Sequence, residues 1–388
     1  MRFTADPKTI HFMRYPVTRI VLVFASLLVA LAVPSNAQEQ TKAKAKTKVK
    51  TTAKGKKNAT AKGKAKAKKD AKAKGKKNAT AKAPTQAAQT SADMVLIVGA
   101  AGESKFGGLF RKWARRWESA AKKGKLQITI IGADKSPAKP SDREKLETRL
   151  ATLKKDGKKP LWIVYVGHGT FDRKNARLNL VGRDVSASEL GKLLDSFSRP
   201  VVFVHSGASS APFINRLSKA GRVIVTATKS GYESNFAYFG EYVSAAIADP
   251  KADLDKDQQT SLLEAFLMAS RQVAEFYKTN GRLSTEQALI DDNGDARGTP
   301  ASFFRGIRVA QQASEGNQAD GLRANQLHLV KSPTELALPP KLRGQRDKLE
   351  QQLADLRSRK AALPSDQYYD RLEKILVQIA KLYASTDK

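Results

Sequence analysis

The run Leu161-Trp-Ile-Val-Tyr-Val166 is apolar throughout and stops abruptly at Gly167-His168-Gly169-Thr170. It is rich in β-branched and aromatic residues and follows Lys158-Lys159-Pro160, so it reads as a strand. Without polar alternation such a strand must be covered on both faces, which is the situation of a central strand in a parallel sheet between helical layers. Four similar runs accompany it: Met94 to Val98, Leu126 to Ile131, Val201 to Val204 and Arg222 to Thr228. The first three runs in chain order are separated by helical patterns, Gly107 to Lys122 with Phe110, Trp113 and Trp117 on one face, and Ser141 to Lys155 capped by Ser141 with Glu144 three residues on. Strands alternating with helices predict an α/β fold.

Further along, Asp172 to Asp184 reads as a loop or hairpin, followed by helices at Ser186 to Ser196, Phe213 to Lys219 and Gly240 to Ala248. Ser261 to Thr279 is a long helix with Leu262, Phe266, Met268 and Val273 inward, and residues 280–335 are mixed and loop-rich. Two amphipathic helices, Lys341 to Ala362 and Asp366 to Ser385, flank Leu363-Pro364-Ser365 and predict a helical hairpin or short coiled coil over residues 336–388. Gly99, Gly102 and Gly107 lack the G-x-G-x-x-G spacing and an acidic ribose partner, which excludes a dinucleotide fingerprint.

The first 92 residues stand outside any core. Arg14 and Arg19 precede an apolar run from Ile20 to Val33 and the small residues Ser35-Asn36-Ala37, the layout of an export signal over residues 1–37. That run is short for a bilayer span, so no membrane anchor is expected after cleavage, and a secreted, periplasmic or cell-envelope location is. The chain has no cysteine, which excludes disulfides, a thiol nucleophile and zinc–thiolate sites. Residues 38–92 hold 18 lysines against Glu39 and Asp70, with AKGKKNATAK at both Ala53–Lys62 and Ala73–Lys82. This low-complexity composition predicts disorder. Of the formal net charge of +33, the signal carries +3 and this tail +16, leaving +14 for residues 93–388. Nucleic acid, anionic lipid or an acidic cell-wall polymer would bind such a tail by counterion release, and a solvated spacer is the alternative. Asn58-Ala59-Thr60 and Asn78-Ala79-Thr80 fit the glycosylation sequon.

Parallel strands ending at one sheet edge bring His168 beside the loop His205-Ser206-Gly207-Ala208-Ser209-Ser210-Ala211, where open α/β sheets bind ligands. Together with Thr226-Ala227-Thr228-Lys229-Ser230-Gly231-Tyr232-Glu233-Ser234, these strand ends resemble the sheet domain of legumain-like peptidases, relatives of caspases and gingipains. The resemblance spans about Met94 to Asp249 and is most specific at Val164–Gly169 and Ile224–Ser234. It implies a caspase-like three-layer α/β sandwich over residues 93–335, with His168 as general base or acid, the Gly169 amide in an oxyanion hole, and Lys229, Ser230, Glu233 and Ser234 lining a substrate pocket. The family's nucleophilic cysteine falls on Ala208 or Gly207, neither of which can attack. One reading is therefore a degenerate peptidase that binds a peptide or protein in the strand-end cleft. The other is a serine-dependent peptidase or transpeptidase using Ser206, Ser209 or Ser210. His205 is expected in the strand-end loop, as a local base or a polar wall, while His328 lies in a remote segment.

Asp253, Asp255, Asp257, Ser261 and Glu264 stand at the oxygen-ligand spacing of an EF-hand-like calcium loop, with Gln258 where glycine is usual. The chemistry above requires no cofactor, and calcium is the one ion this spacing suggests. A capping box of Ser261 with Glu264 is the competing reading. Asp291-Asp292-Asn293-Gly294-Asp295 is a second acidic turn.

Overall fold

The computed structural model describes residues 92–133, 139–311 and 319–384. The expected signal, nearly all of the Lys-rich tail and both sequons lie outside these residues.

A seven-stranded sheet forms the centre. Its parallel strands are β1 (Asp93–Val98), β2 (Gln127–Ile131), β3 (Leu161–Val166), β7 (Val201–His205) and β8 (Arg222–Thr226). They stand in the order β2-β1-β3-β7-β8, continued by two short antiparallel strands, β9 (Leu289–Asp291) and β10 (Thr299–Pro300). β1, β3, β7 and β8 are buried at every position. Side chains alternate across the sheet. Met94, Leu96, Trp162, Val164, Val202, Val204, Val223 and Val225 enter one core with α1 (Ser104–Lys123), α5 (Phe239–Ala246) and α6 (Leu262–Thr279). Val95, Ile97, Ile163, Tyr165, Phe203 and Ile224 enter the other, with α2 (Asp142–Thr152), α3 (Ala187–Leu194) and α4 (Pro212–Leu217). Helices on both faces of a mainly parallel sheet are the three-layer arrangement expected.

Helix starts follow local chemistry. Ser141, Ser186 and Ser261 each close a capping box with the glutamate three residues on. Two segments carry more order than their sequence suggests. Residues 169–186 form a three-stranded antiparallel sheet of β4 (Gly169–Phe171), β5 (Ala176–Leu178) and β6 (Val185–Ser186). Within 280–335, besides β9 and β10, lie the pair β11 (Phe304–Arg305) and β12 (Arg308–Val309) and the short helices α7 (Leu322–Asn325) and α8 (Pro333–Ala337).

The C-terminal helices are α9 (Pro340–Ser358) and α10 (Ser365–Ala384). Tyr383 hydrogen-bonds Arg346, which joins the end of α10 to the start of α9 and makes the pair antiparallel. Leu349, Leu353 and Leu356 are buried, and the Arg346 guanidinium grips Glu335 at 2.6 Å. Intrachain packing therefore holds the hairpin. No helix among the described residues is long and apolar enough to cross a membrane.

Candidate functional site

The chain order reverses at β1, which has β2 on one side and β3 on the other. The carboxyl ends of β1 and β3 therefore flank a switch-point crevice, the usual ligand position in such sheets. His168 sits in it. Its Nε2 lies 3.2 Å from the Ala101 carbonyl across the crevice, and its ring packs edge-on against Phe106, Phe110 and Phe236 at 4.7, 5.0 and 5.9 Å. A carbonyl accepts only, so the neutral ring donates from Nε2 and Nδ1 is its basic nitrogen. Burial holds the His168 pKa below that of a free imidazole, partly offset by the Ala101 carbonyl and Glu103. The Tyr165 hydroxyl anchors this strand end by bonding the His168 and Asn179 carbonyls at 2.5 and 3.0 Å.

Gly169 opens β4 opposite Leu178. The Asn179 amide donates to the His168 carbonyl at 3.2 Å, so Gly169 and Leu178 form a non-hydrogen-bonded pair whose ladder does not consume the Gly169 N–H. A side chain here is excluded, because a Cβ would stand 2.2 Å from the Ala208 carbonyl oxygen.

The two histidines face opposite layers, and His205 stands in β7 rather than in the loop where it was expected. His205 is the last residue of β7, fully buried, and packs against Tyr165 at 4.8 Å and Phe213 at 4.9 Å on the α3–α4 face, whereas His168 is on the α1–α5 face. Its Nδ1 accepts the Gly207 amide at 3.0 Å, and burial pushes its pKa down to about 3, so it stays neutral. A second correction concerns Ser210. Its Oγ accepts the Ala227 and Thr228 amides at 3.0 and 3.1 Å and bonds Thr228 Oγ1 at 3.0 Å, which ties β7 to β8 and leaves the hydroxyl committed. Ser206 Oγ, Ser209 Oγ and His205 Nε2 are buried without partners among the described residues. Ser206 shares the His168 face: a Cβ on Gly240 of α5 would meet it at 2.9 Å. Gly207 abuts the preceding strand end so closely that its Cβ would stand 2.2 Å from the Gly167 carbonyl oxygen.

Residues 229–234 do border this loop, since the Glu233 carbonyl accepts the Ser209 amide at 2.9 Å. Glu233 Oε2 is held by backbone, accepting the Lys229 and Gln287 amides. Lys229 and Ser234 are exposed, Ser230 Oγ accepts the Tyr232 amide, and Tyr232 stands 71% exposed with its ring edge-on to Phe171. Beyond the expected residues, a cavity of about 380 Å³ adjoins the His168 crevice, lined by Val98, Ala101, Phe110, Arg111, Arg115 and Glu118. Helical spacing put Phe110 on the inner face of α1, but nothing in the sequence marked Arg111 and Arg115 as lining a cavity.

In the loop that precedes α6, the carboxylate oxygens of Asp253, Asp255 and Asp257 lie within 4.8 Å of one another. Both sequence readings of this loop coexist. Glu264 Oε2 closes the capping box by accepting from Ser261, while Oε1 turns into the loop and accepts the Leu254 and Asp255 amides at 2.6 and 3.2 Å. Gln258 adopts the left-handed conformation, φ 70°, that usually calls for glycine there. Burial first, then Asp257 and Glu264, pushes the Asp255 carboxyl up to about 7. His328, expected to be remote, closes on this loop: Nε2 is 3.8 Å from Asp257 and its backbone bridges Ser261.

The fold and the crevice together describe an α/β protein with one histidine at its switch point. No protein-family model and no curated protein sequence matches the chain. Among solved structures it is similar to caspase-1 from Spodoptera frugiperda, with 11% identity and a TM-score of 0.36 over 52% of this chain and 87% of that one. It is likewise similar to the Drosophila initiator caspase Dronc, with 14% identity and a TM-score of 0.36 over 52% of this chain and 79% of that one.

Proposed function

We propose that this is an exported peptidase-like protein whose strand-end crevice binds a peptide or protein segment without cleaving it. The observation that carries the reading is that the two glycines flanking His168, Gly167 and Gly169, abut Gly207 and Ala208 on the neighbouring strand end, neither of which has a side chain that can attack a carbonyl. Backbone donors and an aromatic-walled imidazole survive there, which suits recognition of a peptide group. Arg111 and Arg115 favour a ligand with an acidic side chain or terminus. A second reading, a serine-dependent peptidase, is favoured by one feature: Ser206 Oγ is buried and unpartnered on the His168 face. The Lys-rich segment 38–92 serves in either case as a polyanion-binding arm.

A peptide library applied to the immobilised full chain, read for both retention and cleavage, separates these readings. Acidic peptides retained intact by the protein and released by Arg111→Glu support the binding module. Cleavage, with fluorophosphonate labelling that disappears in both His168→Ala and Ser206→Ala, establishes the serine peptidase instead. Failure to retain or cleave any peptide sinks both.

A further inference from the structure

The acidic turn after β9 repeats the construction of the Asp253 loop residue by residue. Asp253 Oδ1 accepts the Lys256 amide, Asp255 Oδ1 the Asp257 amide and Asp257 Oδ1 the Gln259 amide, at 2.6, 3.3 and 3.0 Å. In the second turn Asp291 Oδ1 accepts from Gly294, Asn293 Oδ1 from Asp295 and Asp295 Oδ1 from Arg297, at 3.1, 2.8 and 2.8 Å. The fourth and sixth positions are left-handed in both, Lys256 and Gln258 in one, Gly294 and Ala296 in the other.

One bond differs. The sixth-position amide of the first loop, Gln258, donates to Asp253 Oδ2, whereas that of the second, Ala296, is drawn away to Ser218 Oγ at 2.9 Å. Asp291 Oδ2 is left buried and without a hydrogen-bond partner among the described residues, on a residue only 1% exposed whose other oxygen already faces the turn. A buried carboxylate oxygen without a donor costs free energy, and a hard cation is the partner that such a set of oxygens accommodates.

We propose that residues 291–297 form a second calcium site, with Asp291 Oδ2, the Asn293 and Asp295 side chains and the Arg297 carbonyl as ligands, paired with a first site at Asp253, Asp255, Asp257 and Glu264. The second site is the weaker, because its twelfth position is Ser302 rather than a carboxylate. Both turns are stitched to one strut. Asp292 accepts the Gly321 and Ala324 amides, while Ser261 Oγ meets Asn325 Oδ1 at 3.2 Å and the Leu262 amide donates to the Leu327 carbonyl. Calcium at the two turns therefore braces residues 321–327 against the end of β9 and the start of α6.

The test is equilibrium dialysis of the chelator-treated full chain against radioactive calcium. Two ions per chain are expected, with affinities at least tenfold apart. Asp295→Asn, which keeps the backbone hydrogen bond, removes the weaker ion only, as does Asn293→Ala at a partly exposed position. Asp257→Asn removes the stronger ion only. No calcium uptake at millimolar concentration overturns the proposal. So does a single ion lost in Asp257→Asn and retained in Asp295→Asn and Asn293→Ala.

Discussion

His168 and His205 lie at the ends of neighbouring strands and still face opposite layers: His205 packs on Tyr165 and Phe213, whereas His168, two residues past the end of β3, packs on Phe106 and Phe110. Geometry at the next two positions predicts how a thiol could be restored. Ala208 already carries a Cβ, so Ala208→Cys folds and gains a thiol that iodoacetamide alkylates more slowly once His168 is also replaced by Ala. Gly207→Cys meets the Gly167 carbonyl and lowers stability by roughly 1–3 kcal/mol in urea unfolding, as overpacking does. Glu286 sets a pH dependence. Its buried carboxylate accepts the Tyr238 and Phe239 amides at the start of α5 and the Tyr277 hydroxyl, and burial pushes it up to about 7. In the unfolded chain a glutamate titrates near ~4.3. Between these values the folded protein keeps a proton that the unfolded chain has lost, so stability falls as pH rises through that window and is level above it. At ~1.4 kcal/mol per pH unit over this window the drop is roughly 4 kcal/mol. Urea midpoints at pH 5 and pH 8 should differ by less in Glu286→Gln, and an unchanged difference would refute this assignment.

Among the elements, those built on local chemistry were the legible ones. The Ser141 and Ser261 boxes were read from their S-x-x-E spacing, and the all-apolar strands from their composition. β9 and β10 were not, because Leu289-Ile290-Asp291 is too short to show a period and acquires its strand only by pairing with β8. The same is true of β4 to β6, which depend on one another for their hydrogen bonds. At the hairpin, Arg346 meets Glu335, Asp347 and Glu350 with its side chain only 13% exposed. Arg346→Ala strands Glu335 in a buried position and should cost roughly 3 kcal/mol. Limited proteolysis should then release α9 and α10 before the sheet domain is cut. Equal resistance in the two proteins would mean that the leucines alone hold the hairpin.

For the whole molecule, charge divides the chain in two. Residues 38–92 carry +16 of the formal +33, and their deletion should flatten the dependence of polyanion affinity on salt, which follows the number of phosphates neutralised. Filter binding with and without the segment measures it, and an unchanged slope would move that role to the folded part. By itself the sequence determined the layered α/β class, the position of His168 at a strand end, the absence of any thiol and the spacing of the first acidic loop. Each of these is written in local composition or short-range periodicity. Only the tertiary structure decided that His205 turns away from His168, that Ser210 is a tie between β7 and β8, that Arg111 and Arg115 line the cavity beside the crevice, and that the second acidic turn copies the first. Those outcomes depend on which face a pairing register selects and on which distant amide reaches a carboxylate first, and the chain specifies neither until its strands are side by side.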